Sequence, residues 1–195
     1  MTKNRKGTLF VLSGPSGAGK GTIRARVFEA LDGLSYSVSC TTRAPRDGER
    51  DGVDYRFVTP EDFAAHIAAG DFLEWADVHR HRYGTLKSDV EKVLNEGKDM
   101  FLEIDVQGAL QVKKKMPEAV TLFVVPPSIE VLEERLRERH TEGEAELRLR
   151  LRNAVEEMKQ RDRYDFVVVN DSLDEAVDRV CRFVEQRRQA QGEVK

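Results

Sequence analysis

The sequence predicts an α/β fold of three layers, a parallel central sheet with helices on both faces, broken by a mixed-strand insertion and a helical segment. Two observations predict it. Apolar segments rich in branched residues recur at 8–13, 99–104, 120–125 and 165–169, each followed by a helix-type pattern. That alternation belongs to parallel strands joined by crossover helices. Between residues 35 and 83 the rhythm changes to short strand-like stretches with turn signals at Asp47-Gly48 and Asp51-Gly52. A lone helix starts there at Thr59-Pro60, where proline suits the first helical position.

In chain order, the first helix runs over 20–31 and stops near Gly33. Further helices are expected over 87–95, with Gly97 as stop signal, and over 106–115, 128–139, 144–161 and 172–187. Ser172 and Glu175 have capping-box spacing. The helices flanking 140–143 read as a hairpin with a mobile tip, and the polar tail after Arg187 as frayed. The expected organisation is one domain: a core of about 7–34, 86–127 and 164–189, a mixed-strand insertion of about 35–85, and a helical lid of about 128–163.

The bulk numbers agree with one domain and exclude several classes of function. The 195 residues allow one full core plus an insertion, and 39% hydrophobic with 34% charged residues is a globular composition with ion-laced helix faces. A net charge of −3 argues against a generic nucleic-acid surface. No apolar run has membrane-spanning length, and the basic start MTKNRKG leads into six residues before Gly14, too few for a signal-peptide core, so a cytosolic location is expected. Cys40 and Cys181 stand far apart without metal-type spacing and read as free thiols. His79, His81 and Asp77 share a strand face, a weak metal motif without a further ligand.

The stretch LFVLSGPSGAGKGT is an apolar strand, a glycine-rich turn and a helix start. In that context Gly14, Pro15, Ser16, Gly17, Ala18, Gly19, Lys20, Gly21 and Thr22 read as a P-loop NTPase phosphate cradle: backbone N–H groups and a helix N-terminus face the anion, and Lys20 adds a point charge. Gly21 departs from the general motif, which has a magnesium-binding Ser or Thr after the lysine. Thr22, Asp105 or water then remain as candidate holders of Mg²⁺.

Arg43 and Arg46, three apart, precede Tyr55. Two planar forks and a phenol in one loop-strand unit can surround a phosphate, although solvated loop arginines explain the same pattern. A second anomaly sits in the helix over 128–139. On a 100°-per-residue wheel from Ile129, Leu132 and Leu136 fall near about 300° and 340°, and Arg135 and Arg139 near about 240° and 280°, inside the apolar arc. An inward cation needs an anion, either a protein carboxylate or a nucleotide phosphate. Arg148 and Arg150 flank the apolar stripe of the next helix on opposite sides, and the pattern does not choose between them.

The GKGT variant is similar to nucleoside monophosphate kinases. The words SVSCTTRAPR, DGVDYRF, FLEWADVHRHRYGT and LEIDVQG, in that order and spacing, resemble the guanylate kinase family over roughly residues 8–184. The resemblance implies ATP and GMP (with dGMP) as substrates, Mg²⁺ accompanying ATP, and ADP and GDP as products. It implies that Ser39, Arg43, Arg46, Tyr55 and Tyr83 bind the GMP phosphate. Glu74, Thr85 and Asp105 read guanine, whose N1–H and N2–H₂ donors suit a carboxylate acceptor. The resemblance further implies that Lys20, Arg43, Arg135, Arg139 and Arg150 carry the catalytic charge. Asn170 matches a family position near adenine, though as an Asn-Asp pair before Ser172 it equally reads as a turn. Glu103 faces the same side of its strand as Asp105, and the sequence does not divide guanine and metal duties between them. Self-association stays open. Competing readings are a non-catalytic module of the same fold and a kinase for another small molecule.

Overall fold

The computed structural model describes residues 5–78, 80–138 and 143–193. In chain order the elements are β1 (Leu9–Ser13), α1 (Lys20–Ala30), β2 (Leu34–Tyr36), β3 (Cys40–Thr41), β4 (Arg56–Phe57), α2 (Pro60–Ala69), β5 (Phe72–Val78), β6 (His81–Leu86), α3 (Lys87–Asn95), β7 (Asp99–Glu103), α4 (Val106–Lys115), β8 (Val120–Val125), α5 (Ile129–Glu138), α6 (Glu144–Met158), β9 (Phe166–Val169) and α7 (Leu173–Glu193). One sheet, ordered β2-β7-β1-β8-β9, is parallel throughout. The other, β4-β3-β6-β5, is mixed.

Alternation along β1 explains the layers. All five of its residues are buried, as a central strand covered on both faces requires. Phe10 and Leu12 pack with Ile23 and Val27 of α1 and Ala176 and Val180 of α7. Leu9 and Val11 point the other way, onto Val90 and Leu94 of α3 and Ala109 and Val112 of α4. Period-two side chains thus build two cores on one sheet.

The small sheet closes its own core of Cys40, Phe63, Phe72 and Leu86 under α2, which Thr59 caps by accepting the Asp62 N–H at 3.0 Å. Its free edge is tied to the main body. The Gln111 side chain on α4 exchanges hydrogen bonds with the Trp75 backbone (3.2 and 2.8 Å), and Lys115 donates to the Phe72 carbonyl at 3.0 Å. These contacts cover an otherwise unpaired strand edge and fix its height above the main sheet. In the hairpin of α5 and α6, Leu132 and Leu136 meet Leu147 and Ala154.

Several expected boundaries move. Ser35 and Tyr36 belong to the edge strand β2 of the main sheet, paired with Met100 and Phe101, so the chain leaves for the insertion two residues later than the sequence reading has it. The tail expected to fray continues α7 to Glu193. Arg188 anchors it, donating to Asp99 at 2.7 Å and to the Asp32 carbonyl at 2.8 Å. The helix expected over 144–161 ends at Met158 and passes into a 3₁₀ turn, Arg161–Arg163. The expected mobile tip at 140–143 falls mostly on residues 139–142, outside the described residues.

Candidate functional site

The chain after β1 turns sharply under the C-terminal edge of the sheet, where crevices form in parallel α/β folds. Gly14 sits at φ 140° against β8, and a Cβ there would lie 2.2 Å from the Val124 carbonyl oxygen. Only glycine permits that approach. Ala18 is fully buried, and Gly19 takes the left-handed conformation as N-cap of α1. The Lys20 ammonium curls back to the carbonyls of Gly14 (2.6 Å) and Pro15 (3.0 Å), which places its charge over the loop.

Asn170, just past β9, is buried and donates through Nδ2 to the Ala18 carbonyl at 2.7 Å, while its own carbonyl accepts from Arg135 at 3.1 Å. It braces the loop and lines a second cleft with Gly17, Gly19, Thr22, Arg135 and Asp171. Arg135 points inward as its helical phase requires, and its Nη1 is buried with no hydrogen-bond partner among the described residues. That is donor capacity aimed at the loop. Arg139 lies outside the described residues. On α6 the flanks separate: the Arg148 side chain is 71% exposed and that of Arg150 is 26% exposed.

On the other side of the loop, a cleft of about 500 Å³ is lined by residues of both sheets and by Ser16. Its lining includes Ser39, Arg43, Arg46, Tyr55 and Tyr83 together with the carboxylates Glu74 and Asp105. Arg43 donates to the Ala44 carbonyl at 2.7 Å and to Glu49 at 2.8 Å, and its guanidinium lies 5.3 Å from the Tyr55 ring centre. Tyr55 and Tyr83 meet edge-on at 5.9 Å, and burial raises the Tyr55 phenol above its ordinary value.

The β5–β6 register puts Glu74 opposite Thr85, whose hydroxyl donates to Oε1 at 2.6 Å. Glu74 is only 4% exposed. Burial first, and the nearby Asp105 charge as well, push its carboxyl up to about 7, against the lowering effect of Thr85. Asp105 caps α4, its Oδ1 accepting the Gly108 N–H at 2.7 Å. Gly108 also makes room for Glu74, since a Cβ there would lie 2.7 Å from Oε2.

The two carboxylates at the end of β7, Glu103 and Asp105, are therefore separated. Asp105 faces Glu74, whereas Glu103 accepts from Arg24 Nε at 3.0 Å and lies 3.7 Å from where a Gly21 Cβ would be. The sequence reading overlooked Arg24, which also stacks on Tyr36 at 4.1 Å. It overlooked Glu157 of α6 as well, a half-buried carboxyl raised by burial and partly offset by the Lys20 charge. Glu49 is a third omission. Its signal was the turn Asp47-Gly48, which brings residues 46 and 49 together. His79 lies outside the described residues, so the His79–His81 pairing does too.

This arrangement presents a glycine-rich loop with a lysine over it, between two clefts, one of them lined by a buried carboxyl. The sequence model of the family described as "Guanylate kinase" matches residues 6–187. A guanylate kinase of Thermotoga maritima is 52% identical over 183 residues, covering 94% of this chain and 88% of that protein. One of Caldanaerobacter subterraneus subsp. tengcongensis is 49% identical, covering 92% and 87%. Among solved structures, the crystal structure of guanylate kinase from Anaplasma phagocytophilum superposes with a TM-score of 0.75 at 33% identity, covering 94% of this chain and 87% of that one.

Proposed function

This chain belongs to the guanylate kinase family, and on that premise we propose how its own residues divide the work of the family's reaction. The enzyme transfers the γ-phosphoryl group of ATP to GMP, giving ADP and GDP. The observation that carries the assignment of roles is the shared wall. Ser16 of the phosphate loop lines the same cleft as Arg43, Tyr55 and Glu74, so a nucleotide held there presents its phosphate to the loop.

In this reading Gly14 to Thr22 cradle the phosphates of ATP, with Lys20 over the transferred group and Asn170 bracing the loop beside adenine. Ser39, Arg43, Arg46, Tyr55 and Tyr83 hold the GMP phosphate. Glu74, Thr85 and Asp105 accept from and orient guanine. Adenine lacks the N1–H and N2–H₂ donors, and a buried acceptor left unpaired rejects it. The attacking phosphate oxygen is already anionic, so no strong general base is needed, and positioning with charge stabilisation carries the rate. Arg135, Arg139 and Arg150 add positive charge from the α5–α6 side, which requires closure and so excludes water.

Mg²⁺ fits the donor set: Asp105 and Glu103 offer the hard oxygen ligands it prefers, directly or through water, and Thr22 stands on the nucleotide side of the loop. When bound it neutralises charge developing on the phosphates. No helix among the described residues is long and apolar enough to cross a membrane.

The test is coupled ADP release with GMP, dGMP, AMP and UMP under magnesium. Turnover is expected with GMP and dGMP. Comparable turnover with AMP sinks the guanine assignment.

A further inference from the structure

Glu49 stands inside the acceptor cleft, an odd place for an anion if that cleft receives a phosphate dianion. Its contacts explain the oddity. One carboxylate oxygen accepts from Arg43 Nη2 at 2.8 Å, and the other accepts the Arg46 backbone N–H at 2.8 Å. The Glu49 N–H returns to the Arg46 carbonyl at 3.0 Å. Residues 46 to 49 thereby close into a turn whose side chain clamps the preceding arginine. The Arg43 fork, held also by the Ala44 carbonyl and laid over Tyr55, is left 12% exposed. The Arg46 guanidinium forms no ion pair among the described residues. Nothing else in the loop from Ala44 to Gly48, all of it exposed, ties Arg43 to Arg46.

We propose that Glu49 is a positioning residue for the acceptor nucleotide: it sets the Arg43 fork and the Arg46 turn in place before the phosphate arrives. The inference rests on the cleft being the GMP site. Two effects oppose each other. The negative charge repels an incoming phosphate, but the Arg43 guanidinium paired with it at 2.8 Å offsets that repulsion locally. Freezing a long arginine side chain and a loop beforehand removes an ordering cost that binding otherwise meets, and this is the larger effect. Arg43 keeps N–H groups beyond the two engaged by Ala44 and Glu49, so the fork retains donors for a phosphate.

The experiment compares Glu49→Ala and Glu49→Gln with the parent enzyme, each also in an Arg43→Met background, measuring kcat and KM for both nucleotides. Glu49→Ala is expected to raise KM for GMP about tenfold, equivalent to about 1.4 kcal/mol, with kcat and KM for ATP within about twofold. Glu49→Gln, which keeps one acceptor, is expected to fall between. Because Glu49 acts largely through Arg43, its effect should shrink clearly in the Arg43→Met background, leaving only the part carried by the Arg46 turn. An unchanged or lowered KM for GMP overturns the proposal, and so does an equal effect in both backgrounds. A parent enzyme without GMP-dependent ADP release would instead overturn the reading of the cleft itself.

Discussion

Replacing Glu74 by Gln tests whether the buried carboxyl is kept for recognition at the expense of stability. In the folded protein the group titrates at about 7 instead of the ordinary 4.5, chiefly through burial. A group protonated more readily when folded favours the fold below about pH 4.5, and that contribution is lost as pH rises through about 7. Two and a half pH units at about 1.36 kcal/mol each amount to about 3 kcal/mol of destabilisation at pH 8. Gln keeps an oxygen for the Thr85 hydroxyl and carries no charge. Glu74→Gln is therefore expected to be more stable than the parent by up to about 3 kcal/mol at pH 8, and about equal to it at pH 5. Guanidinium unfolding at both pH values measures this, with GMP absent.

Recognition should move the opposite way. If the ionised carboxylate accepts from guanine as proposed, the parent's KM for GMP should climb by up to about tenfold per pH unit below pH 7. Glu74→Gln should bind GMP weakly and lose that part of the pH dependence. The variant also separates Glu74 from the GMP phosphate, whose second ionisation lies near pH 6. Equal destabilisation of Glu74→Gln at pH 5 and pH 8 would refute the argument that charge burial carries the cost.

Three further outcomes are expected. Asp99, 2% exposed, accepts from the Thr8 N–H at 2.7 Å, from Arg188 and from Arg5. Asp99→Ala should cost about 3–5 kcal/mol in chemical unfolding by orphaning those donors, with kcat retained, since Asp99 begins the strand that ends at the site. Arg135→Met should lower kcat by about 10²–10³ with only a small fall in Tm, because it loses one hydrogen bond, from Nη2 to the Asn170 carbonyl, while Nη1 has no protein partner among the described residues; a collapse of Tm with kcat retained would make Arg135 structural. Gly108→Ala should raise KM for GMP and spare KM for ATP, because its Cβ would stand 2.7 Å from Glu74 Oε2.

Residues whose meaning is local were legible from the chain. The strand at Leu9–Ser13 and the loop after it were readable because apolar periodicity and glycine spacing are properties of a short segment. Arg135 was assigned inward from helical phase alone, and it lies inward. By contrast, β2 has only three residues and no burial pattern of its own, so its place in the main sheet depends on pairing with β7. Arg148 and Arg150 sit on opposite flanks of one apolar stripe, and the packing of α6 on α5 decided which one turns away from solvent.

By itself the sequence determined the phosphate loop, the parallel sheet and the family words, since each is written in neighbouring residues. Tertiary structure alone decided how the carboxylates divide. Asp105 meets Glu74 across Gly108, and Glu103 turns to Arg24 beside Gly21. Those partners lie far apart in sequence or on different elements. Only the docking of the small sheet through Gln111 and Lys115 sets how close the two acids come, and with it the raised Glu74 carboxyl.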